Sequence, residues 1–138
     1  TLMNYGPKTV LLTDGKKGAY TISKNKFLAV VPNKIKPVET TGAGDSFAST
    51  FLANLIKKKD IKTSLSAACV NAESVILQKG AKGGLLTNRQ LLSQLKKKKI
   101  KSFLQQFDVV FDENPLIFQD FLQSQYRHAV LTVSEVLL

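Results

Sequence analysis

In this 138-residue sequence, the groups whose types and spacing could do chemistry are concentrated in Glu39-Thr40-Thr41-Gly42-Ala43-Gly44-Asp45-Ser46-Phe47. Gly42, Ala43 and Gly44 carry little or no side chain, so their backbone amides can approach an anion closely. An amphipathic helix starting there adds the partial positive charge of its N-terminus. A carboxylate beside an anion site opposes binding unless it has a task. Asp45, on the first helical turn, could accept the proton of a hydroxyl that attacks a phosphorus atom while the amides steady the transferred phosphoryl group. The residues alone leave a second reading open, in which Asp45 complements the helix dipole and the glycines only make a turn.

The elements around this stretch can be read from the pattern of apolar residues. Thr9-Val10-Leu11-Leu12-Thr13 is a short β-branched and apolar run ending at Asp14-Gly15, as a buried strand ending in a turn should look. Ala19 to Ser23 and Phe27 to Val31, separated by Lys24-Asn25-Lys26, form an antiparallel hairpin. Pro32 and Pro37 then bound an extended connection, because proline lacks a backbone donor and pushes its neighbour out of the helical region. After the glycines, Phe47, Phe51, Leu55 and Ile56 recur at helical spacing. A second helix is expected from Ser64 to Gln78, with Leu65, Ala68, Val75 and Ile76 as its apolar set and Gly80 as a left-handed stop. A third is capped by Thr87 with Gln90 reaching back, and buries Leu91, Leu92 and Leu95. Strands followed by helices, with a hairpin between, predict an α/β layer over residues 1–98. From Lys99 the character changes: Phe103, Phe107, Phe111, Phe118 and Phe121 cluster, Pro115 starts a helix, and Val130-Leu131-Thr132-Val133 fits helix or strand equally.

Composition sets outer limits. The length and a hydrophobic content of 43% suit one domain with a genuine core. There is no run of eighteen apolar residues and no charged-then-apolar leader at Thr1 to Pro7, so the sequence reads as soluble, with no membrane partner. One cysteine, Cys69, and one histidine, His128, provide neither an internal disulfide nor a zinc-ligand cluster, and a reducing cytoplasm is the expected compartment. The net charge of +10 sits largely in Lys57-Lys58-Lys59 and Lys96-Lys97-Lys98-Lys99. Each run closes a helical segment, where lysine complements the unpaired carbonyls of the last turn. No aromatic or arginine residue interleaves with them, so they read as solvated helix ends rather than a nucleic-acid surface.

The stretch from Thr40 to Asp45, continuing Ser46-Phe47-Ala48-Ser49, resembles the C-terminal signature of the ribokinase (PfkB) family of carbohydrate and nucleoside kinases, Asp-Thr-x-Gly-Ala-Gly-Asp. Two further segments match in order and spacing. Thr13-Asp14-Gly15-Lys16-Lys17-Gly18 resembles the family's Thr-x-Gly-x-x-Gly turn against the nucleotide, and Asn71 to Ala81 resembles the alanine-rich helix and Gly-Ala turn beside the adenine. The resemblance implies the C-terminal part of a ribokinase-like three-layer α/β fold, a sheet with helices on both faces. It implies ATP and magnesium as cofactors, and a sugar or nucleoside hydroxymethyl group as phosphoryl acceptor. Asp45 would be the catalytic base, with Gly42, Ala43 and Gly44 as the anion hole. Thr13, Gly15, Gly18, Gly44 and Cys69 would face the nucleotide, and Glu39, Thr41 and Gly80 a monovalent cation, potassium in relatives.

The sequence departs from the family pattern at three places, one of them Cys69, which stands where many relatives have a polar residue near the adenine. Glu39 stands where the signature has aspartate, and its extra methylene moves the carboxylate; Thr50 replaces an expected second small residue on the helix. The resemblance covers about residues 8–98, the last third or so of a typical member, so the part that recognises the acceptor has no counterpart here. Two other classes of function stay open on the sequence: a nucleotide-binding fragment without catalysis, and a basic nucleic-acid-binding module.

Overall fold

The structure, a computed structural model, describes residues 7–23, 26–97, 107–108 and 130–132. Strands β1 (Thr9–Thr13), β2 (Ala19–Ser23) and β3 (Lys26–Val30) form an antiparallel meander. Leu11 lies opposite Thr21, which lies opposite Leu28. The anticipated hairpin is therefore present, and a second hairpin precedes it. Pairing puts Leu11, Ala19, Leu28 and Val30 on one face of the sheet and Val10, Leu12, Tyr20 and Ile22 on the other. Val10 and Leu11, one from each face, are each 1% exposed, while Leu28 is half-buried. A sheet covered on two faces needs apolar residues at successive positions, which is why the β1 run shows no polar alternation.

Two short pairings extend the sheet to the order β4-β3-β2-β1-β5. In β4 (Phe107–Asp108) Phe107 is opposite Phe27, and in β5 (Val130–Thr132) Val130 is opposite Thr13. The segment at Val130 that fitted helix or strand is thus a strand. The rest of the aromatic-rich stretch, with the helix expected at Pro115, lies outside the described residues, as do Lys98, Lys99, the hairpin residues 24–25 and the first six residues.

Three helices follow the meander: α1 (Ala43–Ile56), α2 (Ile61–Val75) and α3 (Asn88–Lys97). Phe47 and Phe51 of α1 and Leu65, Ala68 and Cys69 of α2 close on the Leu11, Ala19 and Val30 face. Leu91 of α3 packs on Ala67 and Val70, the opposite side of α2, with Leu86 and Leu95 around it. The small side chains of α2 let its neighbours approach from both sides, so it is the central helix of this layer.

Several boundaries and faces differ from the sequence reading. α2 starts three residues earlier, because Asp60 caps it: its Oδ1 accepts the Thr63 amide at 2.8 Å and its Oδ2 the Thr63 hydroxyl. These bonds, the hydroxyl first, hold the Asp60 carboxyl below its ordinary value of 3.8. The helix also ends earlier, at Val75, with Ile76 as a right-handed cap; Gly80 does have positive φ, but in the turn beyond the helix rather than at its stop. Leu92, expected on the buried stripe of α3, is 50% exposed, and Ile56, counted in the apolar spacing of α1, is 61% exposed, since each sits one position past the packed residue, Leu91 and Leu55 respectively. The α3 cap matches its reading, with the Thr87 amide donating to Gln90 Oε1 at 2.9 Å and the Gln90 amide to Thr87 Oγ1 at 3.3 Å. Lys96 and Lys97 fall in the last turn of α3, and Lys57 follows directly on α1. Among the described residues, no helix is long and apolar enough to cross a membrane.

Candidate functional site

The N-terminus of α1 is built on Gly42, which caps it with φ +81°. That backbone conformation is strained for any other residue, and there is no room for one: a Cβ at Gly42 would stand 2.7 Å from the Ala81 carbonyl oxygen and 2.8 Å from its Cβ. The turn that opens α1 is therefore pressed against the Gly80-Ala81 turn that follows α2. Three hydrogen bonds fasten the two together. The Val38 and Glu39 amides donate to the Ile76 carbonyl at 2.8 and 3.2 Å, and the Gly80 amide donates to Glu39 Oε2 at 3.0 Å. The Gly80 amide, then the Thr41 hydroxyl, hold the Glu39 carboxyl below its ordinary value of 4.5.

Within the first turn of α1 the amides divide. Ala43 N–H bonds to the Thr40 carbonyl at 3.2 Å and Ser46 N–H to the Gly42 carbonyl at 2.9 Å. Among the described residues, the Gly42, Gly44 and Asp45 amides have no partner. Gly44 is exposed, and a Cβ built on it would meet nothing within 4 Å. Asp45 is exposed too, and its carboxylate has no hydrogen-bond partner among the described residues; it does not reach back to the Gly42 amide as a capping side chain would. Open donors, open space and an unengaged acceptor thus share one helix end.

Thr13 closes β1, and residues 15–17 form a single 3-10 turn ending at Gly18. The turn is closed by its own backbone, Asp14 N–H to Gly18 O at 2.8 Å and Lys17 N–H to Asp14 O at 2.9 Å. The Asp14 Oδ2 lies 3.5 Å from Lys17 Nζ, an ion-pair distance outside hydrogen-bond geometry. Gly18, at φ +115°, lies so close to β3 that a Cβ would be 2.0 Å from the Val30 carbonyl oxygen and 3.2 Å from Val31 Cα. The end of β3 is thereby the wall against which this turn rests.

Of the remaining site residue read from sequence, Cys69 is 3% exposed in the core, with its thiol 3.8 Å from Glu73 Oε1. Glu73 itself was missed. It is 3% exposed and accepts the Asn33 backbone amide at 2.7 Å and the Asn33 side-chain amide at 3.0 Å on Oε1. A glutamate four residues after a cysteine on an alanine-rich helix was a legible oddity, but its partner forty residues upstream was not. Thr50 and Asn71 were likewise not paired in the sequence reading. The Asn71 side-chain amide donates to Thr50 Oγ1 at 2.7 Å, and its Oδ1 accepts the Leu86 amide at 2.9 Å. The threonine in place of a small residue on α1 is thus one half of a buried polar pair that joins α1 to α2.

Comparison with known proteins bears on this geometry. The family model described as pfkB family carbohydrate kinase matches residues 1–88. A Mycoplasma genitalium protein whose name assigns it, provisionally, to the 1-phosphofructokinases is 46% identical over 53% of this chain and 24% of its own length. The Bacillus subtilis ribokinase is 33% identical over 62% of this chain and 29% of its own. The Arabidopsis thaliana ribokinase, solved with ribose and ATP, superposes with a TM-score of 0.60 at 29% identity, covering 67% of this chain and 30% of that one. The chain spans less than a third of the length of these relatives.

Proposed function

Because the chain belongs to the pfkB family of carbohydrate kinases, we propose that it provides the phosphate cradle and the proton acceptor for ATP-dependent phosphoryl transfer to a hydroxymethyl group of a sugar or nucleoside. One observation carries this reading: the Gly44 and Asp45 amides, unpartnered among the described residues and with open space over Gly44, stand beside an Asp45 carboxylate that no described residue engages. The Asp45 carboxylate takes the proton of the acceptor hydroxyl as its oxygen attacks the γ-phosphorus and the bond from that phosphorus to the β,γ-bridging oxygen breaks, releasing ADP. The Gly42, Gly44 and Asp45 amides, with the partial charge of the α1 N-terminus, hold the oxygens of the transferred group. Ala43 contributes by shaping the turn, since its amide is engaged by Thr40. Thr13, Gly15 and Gly18 line the nucleotide on a turn fixed against β3.

Magnesium bound with ATP supplies charge neutralisation across the phosphates. Among the described residues, no group of three carboxylate, histidine or cysteine side chains converges. A monovalent cation at Glu39, Thr41 and Gly80 fits less well. The Gly80 amide and the Thr41 hydroxyl already draw on lone pairs of the Glu39 carboxylate that a cation there would use.

The test is calorimetric titration of the 138-residue chain with Mg-ATP, followed by radiolabelled phosphoryl transfer in a chimera that joins residues 7–97 to the preceding part of the Bacillus subtilis ribokinase. Saturable binding, with transfer that Asp45→Asn abolishes, supports the reading. Transfer that survives Asp45→Asn overturns the role of the base, and a chain that is folded yet indifferent to Mg-ATP overturns the cradle.

A further inference from the structure

The connection from β3 to α1, residues 31–42, carries the signature turn yet has no regular secondary structure of its own. Pro32 and Pro37 have no amide to donate. Among the described residues, the hydrogen bonds that tie residues 33–39 to the rest of the molecule run to one stretch, residues 73–80: Asn33 to Glu73, Val38 and Glu39 to the Ile76 carbonyl, and Glu39 to the Gly80 amide. The later ties hold the signature turn itself. The first holds the connection at its start, three residues after Val30, whose carbonyl supports Gly18 of the nucleotide-side turn. Among the described residues, Asn33 is the first hydrogen-bonded point of the connection after β3, ahead of Val38 and Glu39 beside the signature turn.

Glu73 is chemically suited to that place. A carboxylate is acceptor-only with room for several donors, so it can take a backbone N–H and a side-chain amide together. Asn33 supplies both, at 2.7 and 3.0 Å to Oε1 and 3.2 Å from its side-chain amide to Oε2, and the Cys69 thiol lies 3.8 Å from Oε1. At 3% exposure, a carboxylate has been taken out of water, which is unfavourable unless its bonds are made well. Asn33 is exposed, so the tie joins a solvent-side loop to the interior of α2 rather than filling a core.

We propose that Glu73 is a positioning residue for phosphoryl transfer: through Asn33 it sets the Gly15–Gly18 turn and the Gly42–Asp45 turn at a fixed separation along α2. This rests on the functional reading above for its consequence, but the tie itself does not. The carboxylate touches neither nucleotide nor acceptor; it acts through the connection, whose drift would misalign the open amides relative to the nucleotide-side turn.

The experiment exchanges donors and acceptors across the pair in the 138-residue chain. Glu73→Gln places an N–H2 among donors, Asn33→Asp places two carboxylates together, and the double variant restores pairing with the roles reversed. Each single variant, folded by circular dichroism, is expected to bind Mg-ATP about tenfold more weakly or worse, the loss of a charge-assisted bond. The double variant should return most of that affinity. Amide exchange should quicken at Val38 and Glu39 in the single variants and stay unchanged at Phe51. A purely structural role would instead lower the melting temperature while leaving the affinity of the folded protein intact, which overturns the proposal, as does a double variant without recovery. If Glu73→Gln does not fold, Asn33→Ala at the exposed end removes the side-chain bonds alone and must still weaken binding. If the unaltered chain does not bind Mg-ATP, the functional reading fails, and quickened exchange at Val38 and Glu39 then decides whether the tie exists.

Discussion

Replacing Gly44 with alanine separates the demands of the fold from those of a ligand. A Cβ there meets nothing within 4 Å, and the position lies inside α1 with no positive φ. Alanine in a helix is favoured over glycine by roughly 0.5–1 kcal/mol, through backbone entropy. Near a helix end the lower part of that range applies, and for a domain of this size about 0.5 kcal/mol raises the melting temperature by about 2–4 °C. An anion held by the Gly44 amide would meet the added methyl beside the donor. Losing one charge-assisted hydrogen bond costs about 1.5–3 kcal/mol, or about ten- to a hundredfold in Mg-ATP affinity. G44A should therefore be slightly more stable and bind much less, as read by thermal unfolding and calorimetry on the same samples. G42A should behave otherwise: at φ +81° with Ala81 in the way, it should lose about 1–3 kcal/mol of stability. If G44A binds Mg-ATP like the unaltered chain, no anion approaches that amide and the cradle is wrong.

Asp45→Asn should leave Mg-ATP binding intact and cut transfer in the chimera by about 10²–10⁴-fold, the usual contribution of a general base; equal losses in binding and transfer would count against that role. The Glu39 carboxyl is held low by the Gly80 amide and the Thr41 hydroxyl, so the clamp is fully present above pH 4.5 and is lost as pH falls through the lower folded value. The Gly80 amide resonance should report this, staying constant from neutral pH to 4.5 and shifting only below it; a shift centred above 4.5 would refute the sign. Because that clamp already draws on the Glu39 lone pairs a cation would use, Mg-ATP affinity should be the same in potassium and tetramethylammonium chloride at equal ionic strength, and tighter binding in potassium would show that an ion does enter. Asn71→Ala leaves Thr50 and the Leu86 amide without their partner and should cost about 2–4 kcal/mol of stability, measured by denaturant unfolding; a loss under 1 kcal/mol would mean that water replaces the side chain.

What the sequence determined by itself was local. Strand β1, the α3 cap at Thr87 and Gln90, and the glycine turn opening α1 each depend on residues a few positions apart, and each was readable from spacing. The start of α2 was equally local but was missed, because Asp60 and Thr63 sit in polar sequence ahead of the apolar pattern. Exposure of Ile56 and Leu92 could not be read in the same way: an apolar residue next to a buried one lies about 100° around the helix, and only the width of the packed stripe decides its side. Tertiary structure alone decided the rest. The Glu73–Asn33 tie, the Thr50–Asn71 pair and the approach of Gly42 to Ala81 join residues 40, 21 and 39 positions apart. Such contacts leave no periodic trace, because hydrogen bonds and close packing depend on distance in space, and chain distance constrains that only within a turn or two. The signature could show which groups were available for chemistry; the folded chain determined which amides stayed open and what holds them in place.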